Sequence, residues 1–251
     1  IAAGIQALYL GGRLYALNRA FQGVIGWRNN TFGFTLYRHL VFALPLAATF
    51  ISVALTNNIC TLMFAALPVN QFAAMTLMMP WIAIVGTFSI AWAQATGIIV
   101  AQLLGEGHTG PTMDAFLKHS WKGATVASAL VSVIYLGIIF ASGWVYAGLQ
   151  QETLATLFSF WPILMLLPFP KTSNAMCGQS LRAGSDTVYV MNIFLSSQWF
   201  CKVPLTFIFI YWLDLSATWV FSIFLLEELF KFPLFHRRLF KGKWKEASLE
   251  A

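Results

Sequence analysis

Residues 39–105 read HLVFALPLAATFISVALTNNICTLMFAALPVNQFAAMTLMMPWIAIVGTFSIAWAQATGIIVAQLLG, and this stretch contains no Asp, Glu, Lys or Arg. One helical crossing of a bilayer needs only ~20 apolar residues, so the stretch is far too long for a single crossing. It predicts two hydrophobic passes joined by a short polar break at residues 68–71. The fold class that this indicates is an all-α integral membrane protein.

The composition of the whole chain supports a membrane location. Charged residues make up 10% of the 251 residues, whereas soluble domains carry ~25%. The three cysteines lack metal-ligand spacing, and the sequence has no nucleophile–base arrangement, phosphate loop or metal motif. We therefore expect no enzyme, no metal site and no cofactor. The chain begins at the apolar Ile1 without a basic leader, so we expect a fragment that lacks its amino-terminal part.

Hydropathy predicts six membrane spans. They lie near residues 39–66, 71–104, 119–141, 153–178, 188–212 and 215–234. Residues 1–38 would hold the end of an earlier membrane helix and a polar linker, residues 39–234 a six-helix lobe, and residues 235–251 a basic tail. Pro162, Pro168 and Pro170 predict that the fourth span is irregular.

The basic residues fall on one side of this topology. Fourteen of the fifteen, all except Lys202, lie on the side that also carries the linker and the tail. The positive-inside bias places that side in the cytoplasm. The tail alternates basic and aromatic residues, and we expect it to lie on the anionic inner leaflet rather than to bind nucleic acid.

Two short motifs go beyond hydropathy. VAQLLGEG at residues 100–107 closes the second span, and GQSLRAGSDT at residues 178–187 closes the fourth. In this order, they resemble two turns of the multidrug and toxic compound extrusion (MATE) family. The motif residues are Gln102, Gly105, Gly107, Arg182, Gly184 and Asp186. Trp199, Pro204 and the Glu227–Glu228 pair also resemble the last two helices of that family.

The resemblance covers roughly residues 36–246 and fits the carboxy-terminal half of the family's proteins. It implies one six-helix lobe of a twelve-helix, two-lobe transporter, with alternating access to a cavity shared with the missing amino-terminal lobe. It also implies export of small amphiphilic compounds, organic cations among them, in exchange for protons or sodium ions. Membrane lipid would surround the lobes, and a bacterial inner membrane is the expected location.

Polar residues inside the spans are the candidates for the substrate or ion pathway, because a polar group in hydrocarbon needs a partner. In the first span these are Asn57 and Asn58, and in the second Trp92 and Gln94. Each also has a structural interpretation. Small hydroxyl-bearing residues beside the asparagines are typical of helix packing, and tryptophans anchor helices.

The fourth span carries Lys171 and Asn174, which are three residues apart and share a helix face. Lys171 falls where sodium-coupled relatives carry a coordinating aspartate, so the resemblance implies that a sodium site is absent from this lobe. A lysine removed from water can exchange a proton. The alternative is that Lys171 extends to the interface or pairs with a carboxylate.

Lys202 lies in the middle of the fifth span, with Gln198 one turn before it. The sequence leaves open a contact with an anionic substrate group or a role in helix packing. Glu227 and Lys231 form an i, i+4 pair in the favourable order and predict a structural pair in the last helix. Asp186 and Arg182 predict a second pair that fixes a loop.

Transport is the function that this pattern favours, with protons as the preferred coupling ion because the first and fourth spans carry no acid. Two alternatives remain open. One is a flippase for lipid-linked oligosaccharides, which belongs to the wider superfamily. The other is a membrane scaffold or channel subunit that transports nothing itself.

Overall fold

The structure is a computed structural model that describes residues 9, 11, 12, 32–146 and 148–245. The chain divides into two compact units, Ile1–Leu44 and Pro45–Ala251. The described part of both is helical and contains no strand. The helices are α1 (Phe32–Phe64), α2 (Val69–Gly105), α3 (Pro111–Val145), α4 (Gln151–Ser159), α5 (Trp161–Leu166), α6 (Pro168–Ala183), α7 (Thr187–Ser196), α8 (Val203–Phe207) and α9 (Ala217–Phe240). Two π-helical segments, Ser197–Lys202 and Ile208–Trp212, flank α8, and a 3₁₀ turn spans Lys243–Lys245.

Four described helices are long and apolar enough to cross a membrane, and a bent pair makes a fifth. The four are Ala43–Phe64, Val69–Gly105, Pro111–Val145 and Thr187–Trp212. The bent pair is Gln151–Leu166 with Pro168–Ala183. The sixth predicted span is present as α9, but it does not meet the same criterion because Glu227, Glu228 and Lys231 fall within its membrane-length segment.

The amino-terminal helix includes residues assigned to the linker. Within the described residues, α1 spans Phe32–Phe64, and its apolar, membrane-length part is Ala43–Phe64. The end of the predicted linker is therefore helical, while residues 13–31 lie outside the described part of the chain.

The fourth span bends by 44° between α5 and α6, as its prolines predict. Two serine hydroxyl groups of α3 donate hydrogen bonds to backbone carbonyl groups near the bend. Ser132 Oγ donates to the carbonyl of Met165 at 2.8 Å, and Ser128 Oγ donates to that of Pro168 at 3.1 Å. These bonds from α3 satisfy polar backbone that would otherwise face hydrocarbon.

The core of the lobe has an aromatic centre. Phe160 and Phe221, both fully buried, stack with ring centroids 4.2 Å apart, and Phe224 meets Phe221 edge-on at 5.4 Å. A second cluster lies at the end of the bundle where α6 meets α7, and it includes Val100, Leu181, Phe235, Leu239 and Trp244.

The tail therefore contributes to the core. Trp244 is 1% exposed and donates its indole N–H to the carbonyl of Leu239 at 2.9 Å. This differs from the expectation that the tail lies wholly on the leaflet, because these side chains pack inward. Phe240, at 71% exposure, does face outward. Residues 246–251 lie outside the described part.

Gly184 is what allows Trp244 to pack. A Cβ at this position would lie 2.7 Å from both the ring and the carbonyl oxygen of Trp244. The glycine is not used for a left-handed conformation here. That conformation belongs to Ser185, whose φ is +64°, and the turn is closed by the bond from Asp186 N–H to the carbonyl of Leu181 at 2.9 Å.

We expect Gly184→Ala to lower the free energy of unfolding by about 1–3 kcal/mol, because the added methyl overlaps backbone as well as ring. Thermal unfolding of the detergent-purified protein would measure the effect. Gly137→Ala is the control, since nothing lies within 4 Å of its added Cβ. Equal thermal unfolding midpoints for Gly184→Ala and the unchanged protein would contradict the packing argument.

Candidate functional site

Two π-helical segments interrupt the fifth span, and the first positions two polar side chains. It covers Ser197–Lys202, immediately before Pro204. Such segments often lie at functional sites, since they widen the helix and turn side chains away from their α-helical directions. Both Gln198 and Lys202 are buried and contact Glu227 of α9.

Glu227 is the centre of a buried ionic network and is itself 5% exposed. Its Oε1 accepts from Lys231 Nζ at 3.0 Å and from Gln198 Nε2 at 2.8 Å. Its Oε2 lies 3.4 Å from Lys202 Nζ. The pair that the i, i+4 spacing predicts is therefore present, and two residues of the fifth span extend it.

The network continues to the fourth span through Glu228. Its Oε1 accepts from Lys231 Nζ at 2.9 Å, and its Oε2 accepts from Asn174 Nδ2 at 2.9 Å. Asn174 Nδ2 also donates to the backbone carbonyl of Glu228 at 2.8 Å. Two lysines and two glutamates are thus joined directly, so their formal charges cancel. Charges removed from water need this kind of direct pairing.

The first span closes the network on its other side. Lys202 Nζ donates to Asn57 Oδ1 at 2.6 Å, and the Thr56 hydroxyl donates to Gln198 Oε1. The indole N–H of Trp199 donates to Ser52 Oγ at 3.0 Å. Four of the predicted spans, the first, fourth, fifth and sixth, therefore meet through polar side chains.

Lys171 lies beside the ionic network. Unlike Lys202 and Lys231, it has no ion pair or hydrogen bond within the described part of the chain. Its Nζ reaches α2, where it lies 3.6 Å from the place that a Cβ of Gly86 would occupy. The hydroxyl of Tyr135 is at the same distance from that point. One turn away, Asn174 Oδ1 is buried without a hydrogen-bond partner among the described residues.

The structure separates the predicted pathway residues into two groups. Asn57, Lys171, Asn174 and Lys202 belong to the network or border it. Asn58, Trp92 and Gln94 lie outside it and are exposed on the isolated lobe. Trp92 is also a packing residue: its indole N–H donates to the carbonyl of Ser120 at 3.1 Å, and its ring lies directly over Gly123.

The residues of the first motif turn form a helix end. The backbone carbonyl of Gln102 accepts from Glu106 N–H at 2.9 Å, after α2 ends at Gly105. Gly107 has a φ of +79°, and the bond from His108 N–H to the carbonyl of Leu103 at 2.8 Å closes the turn. The glycine at position 107 is required for this conformation.

The ion pair predicted for the second motif turn is wrong. Asp186 Oδ2 accepts from Arg238 Nε at 2.6 Å, not from Arg182. The guanidinium of Arg182 lies instead over the ring of Phe194, 5.7 Å from its centroid. The aspartate still fixes the loop as expected, but it does so by joining the loop to the end of α9.

Sequence reasoning missed the connection between the fifth span and α9. Gln198 was visible as a polar residue one turn before Lys202, and Glu227 as half of a local pair. Nothing in their spacing showed that one carboxylate serves Gln198, Lys202 and Lys231 together.

A family model described as MatE matches residues 45–208 of this sequence. That range contains both motif turns and three of the network's helical segments, and it is more than half of the chain. The chain belongs to the MatE family. This confirms the resemblance that the two motif turns carry. No curated protein matches the sequence.

Solved structures of transporters share the fold. A MOP superfamily transporter from Pyrococcus furiosus Vc1 (DSM3638), described as having a binding pocket of reversed polarity, aligns with a TM-score of 0.70 at 18% identity. The alignment covers 79% of this chain and 43% of that one. An outward-facing multidrug resistance MATE family transporter gives 0.71 at 18% identity, with 79% and 44% covered. A MATE protein in a bent conformation gives 0.68 at 18% identity, with 80% and 44% covered.

This MatE chain spans less than half the length of these solved transporters, as predicted for one lobe. The all-α membrane fold and the multi-pass character are confirmed. The two-lobe, twelve-helix architecture is that of the longer relatives.

Proposed function

We propose that this chain is the carboxy-terminal lobe of an exporter that moves organic cations or other amphiphiles by proton or sodium antiport. The lobes would alternate access to a cavity between them, and protons are the preferred coupling ion. The observation that supports this proposal is the buried ionic network, in which every charge except that of Lys171 is paired directly within the described residues.

The paired part of the network would hold the helices together while Lys171 responds to the transport cycle. Separating a buried ion pair costs ~3–5 kcal/mol, so Glu227 and its partners would stay joined. Lys171 has no such pair to break. A desolvated ammonium is able to exchange its proton.

The proposed pathway includes the exposed polar residues as well as those of the network. Asn58, Trp92 and Gln94 would face the cavity with Lys171, and Asn57, Asn174 and Lys202 would form its wall. The basic linker and tail would lie in the cytoplasm, because most basic residues outside the ionic network fall on one side of the predicted topology. The lobe would lie in a bacterial inner membrane.

A lipid-linked oligosaccharide flippase is the second candidate, and one observation favours it. Lys171 lies one turn from Asn174, which bonds Glu228, and Lys202 pairs with the neighbouring Glu227, so two basic groups belong to the same region. A MOP superfamily transporter of the same fold is described as having a binding pocket of reversed polarity. Glu227 and Asn57 already bind Lys202, so Lys171 is the one lysine of this pair left without a partner in the described residues. A single lysine is not the basic cluster that a flippase predicts, and we therefore prefer the exporter.

We expect Lys171→Met to reduce proton-driven transport about tenfold or more, since the group that takes and releases the proton is lost. The measurement is substrate flux in proteoliposomes that contain the full-length transporter, under an imposed pH gradient. Thermal unfolding would show whether the variant remains folded.

Lys118→Met is the matched control, because Lys118 is exposed at the start of α3. We expect it to transport normally. Lys171→Arg keeps the charge but not the exchangeable proton, and should stay impaired under the gradient. Normal gradient-driven flux in Lys171→Met would refute the role of this lysine. Flux of lipid-linked sugar alone would establish the flippase, and an inert full-length protein would support the scaffold.

A further inference from the structure

A groove with a volume of about 260 Å³ is lined by residues that take no part in the ionic network. Three helices form it. Trp121 and Thr125 come from α3, Phe169 and Pro170 from α6, and Leu229 and Phe232 from α9. The groove is mostly apolar, so it suits a hydrocarbon chain better than a polar solute.

One end of the groove has a polar and aromatic wall. The indole N–H of Trp121 donates to Ser173 Oγ at 3.1 Å, and this oxygen lies 2.8 Å from His236 Nε2. The imidazole stacks on Phe232, with ring centroids 3.8 Å apart, and more loosely on Trp121 at 5.9 Å. An apolar channel that ends at a tryptophan with a polar edge is typical of a membrane interface.

Exposed basic side chains adjoin residues of this end in the chain. Lys122 is exposed, adjoins Trp121 and lies one turn before Thr125 on α3. Arg237 on α9 and Lys241, directly after α9, are exposed and follow His236 and Phe240 in the chain. Within the described part of the chain, none of these three cations has an ion pair or hydrogen bond.

The surface around the groove indicates its occupant. Val126 and Leu130, which follow Thr125 on α3, are each 61% exposed, as side chains that face lipid are. The groove therefore opens onto an apolar surface at its sides and onto unpaired positive charge at one end. Apolar length with a cationic end complements a molecule with a hydrocarbon chain and a negative headgroup.

We propose that this groove is a binding site for an anionic glycerophospholipid of the surrounding bilayer. One acyl chain lies along Thr125, Phe169 and Leu229. The phosphate lies at the end beside Trp121, within reach of Lys122 and the basic residues of α9. Anionic lipids are attracted to basic segments at the membrane surface, and the groove converts that general attraction into a defined site.

The test is quenching of Trp121 fluorescence by lipids with dibrominated acyl chains, using the full-length transporter in nanodiscs. The fluorescence of Trp121 is obtained as the difference between the emission of the unchanged protein and that of Trp121→Phe. Dibrominated phosphatidylglycerol should quench it at about fivefold lower lipid fraction than dibrominated phosphatidylcholine. Lys122→Gln should reduce this preference, because one of the three cations is lost, and Thr125→Phe should weaken quenching by both lipids because it fills the groove.

Trp144 is the matched control, since it lies near the other end of α3 and is 92% exposed. Its signal, obtained with Trp144→Phe, should respond equally to both lipids. Equal quenching of Trp121 by both lipids would refute the site, as would an unchanged preference in Lys122→Gln. Relief of the quenching by transported amphiphiles would show instead that the groove takes substrate. Transport assays on the same variants would test the proposed export function separately. Failure of the lipid site and failure of that function can therefore be distinguished.

Discussion

Glu227→Gln lowers the free energy of unfolding by about 3–5 kcal/mol, because it leaves a buried lysine without its counter-charge. Lys231 retains Glu228 at 2.9 Å, so the lysine that loses its only carboxylate is Lys202, which is 4% exposed. Thermal unfolding of the protein in detergent measures the loss. This is one of the two largest effects that we expect from a single substitution.

A second substitution separates the charge effect from simple loss of shape. Lys202→Met in the Glu227→Gln background removes the unpaired ammonium, so the double variant should be more stable than Glu227→Gln alone. Glu106→Gln is the surface control, because Glu106 is exposed and pairs only with the exposed His108 at 3.8 Å. A double variant less stable than Glu227→Gln would mean that Lys202 is not the source of the cost.

Phe221→Ala is the second large effect, with an expected loss of about 3–5 kcal/mol. The ring is fully buried, stacks on Phe160 and contacts Phe224, so its removal leaves a cavity beside these two rings. The same thermal measurement applies. Phe224 contacts Phe221 and its ring centroid also lies 5.3 Å from Lys202 Nζ, so we expect the effects of Phe221→Ala and Glu227→Gln to be coupled rather than additive.

The control for Phe221 is Phe200→Ala, since Phe200 is 80% exposed. We expect a change of no more than about 0.5 kcal/mol there. Similar losses at the two positions would contradict the view that the aromatic centre, rather than aromatic content in general, stabilises the lobe.

Local patterns predicted the helices of this fold well. The uncharged run at residues 39–105 gave two spans, and the prolines of the fourth span gave its bend. The i, i+4 spacing of Glu227 and Lys231 gave their pair. Each of these depends on residues that are close in the chain, so hydropathy and helix geometry were sufficient.

Contacts between distant residues could not be predicted in the same way. Glu227 and Lys202 lie on different helices, and their pairing depends on how each helix is rotated about its own axis. Asp186 illustrates the same limit: Arg182 is nearer in the chain, yet Arg238 forms the bond. The burial of Trp244 could not be predicted either. The local sequence, an aromatic residue among lysines, is the same whether the side chain lies on a membrane surface or in a core.

The π-helical segment at Ser197–Lys202 has a consequence for how this chain can vary. In an α-helix one residue corresponds to about 100° of rotation about the helix axis. Loss of a single residue within the segment would therefore rotate the side chains of Gln198 and Lys202 relative to each other, so that they no longer face α9 together. The fifth span thus tolerates exchange of side chains more readily than insertion or deletion. Any relative that retains a carboxylate shared between these two residues and Lys231 should have the same number of residues between Thr187 and Pro204.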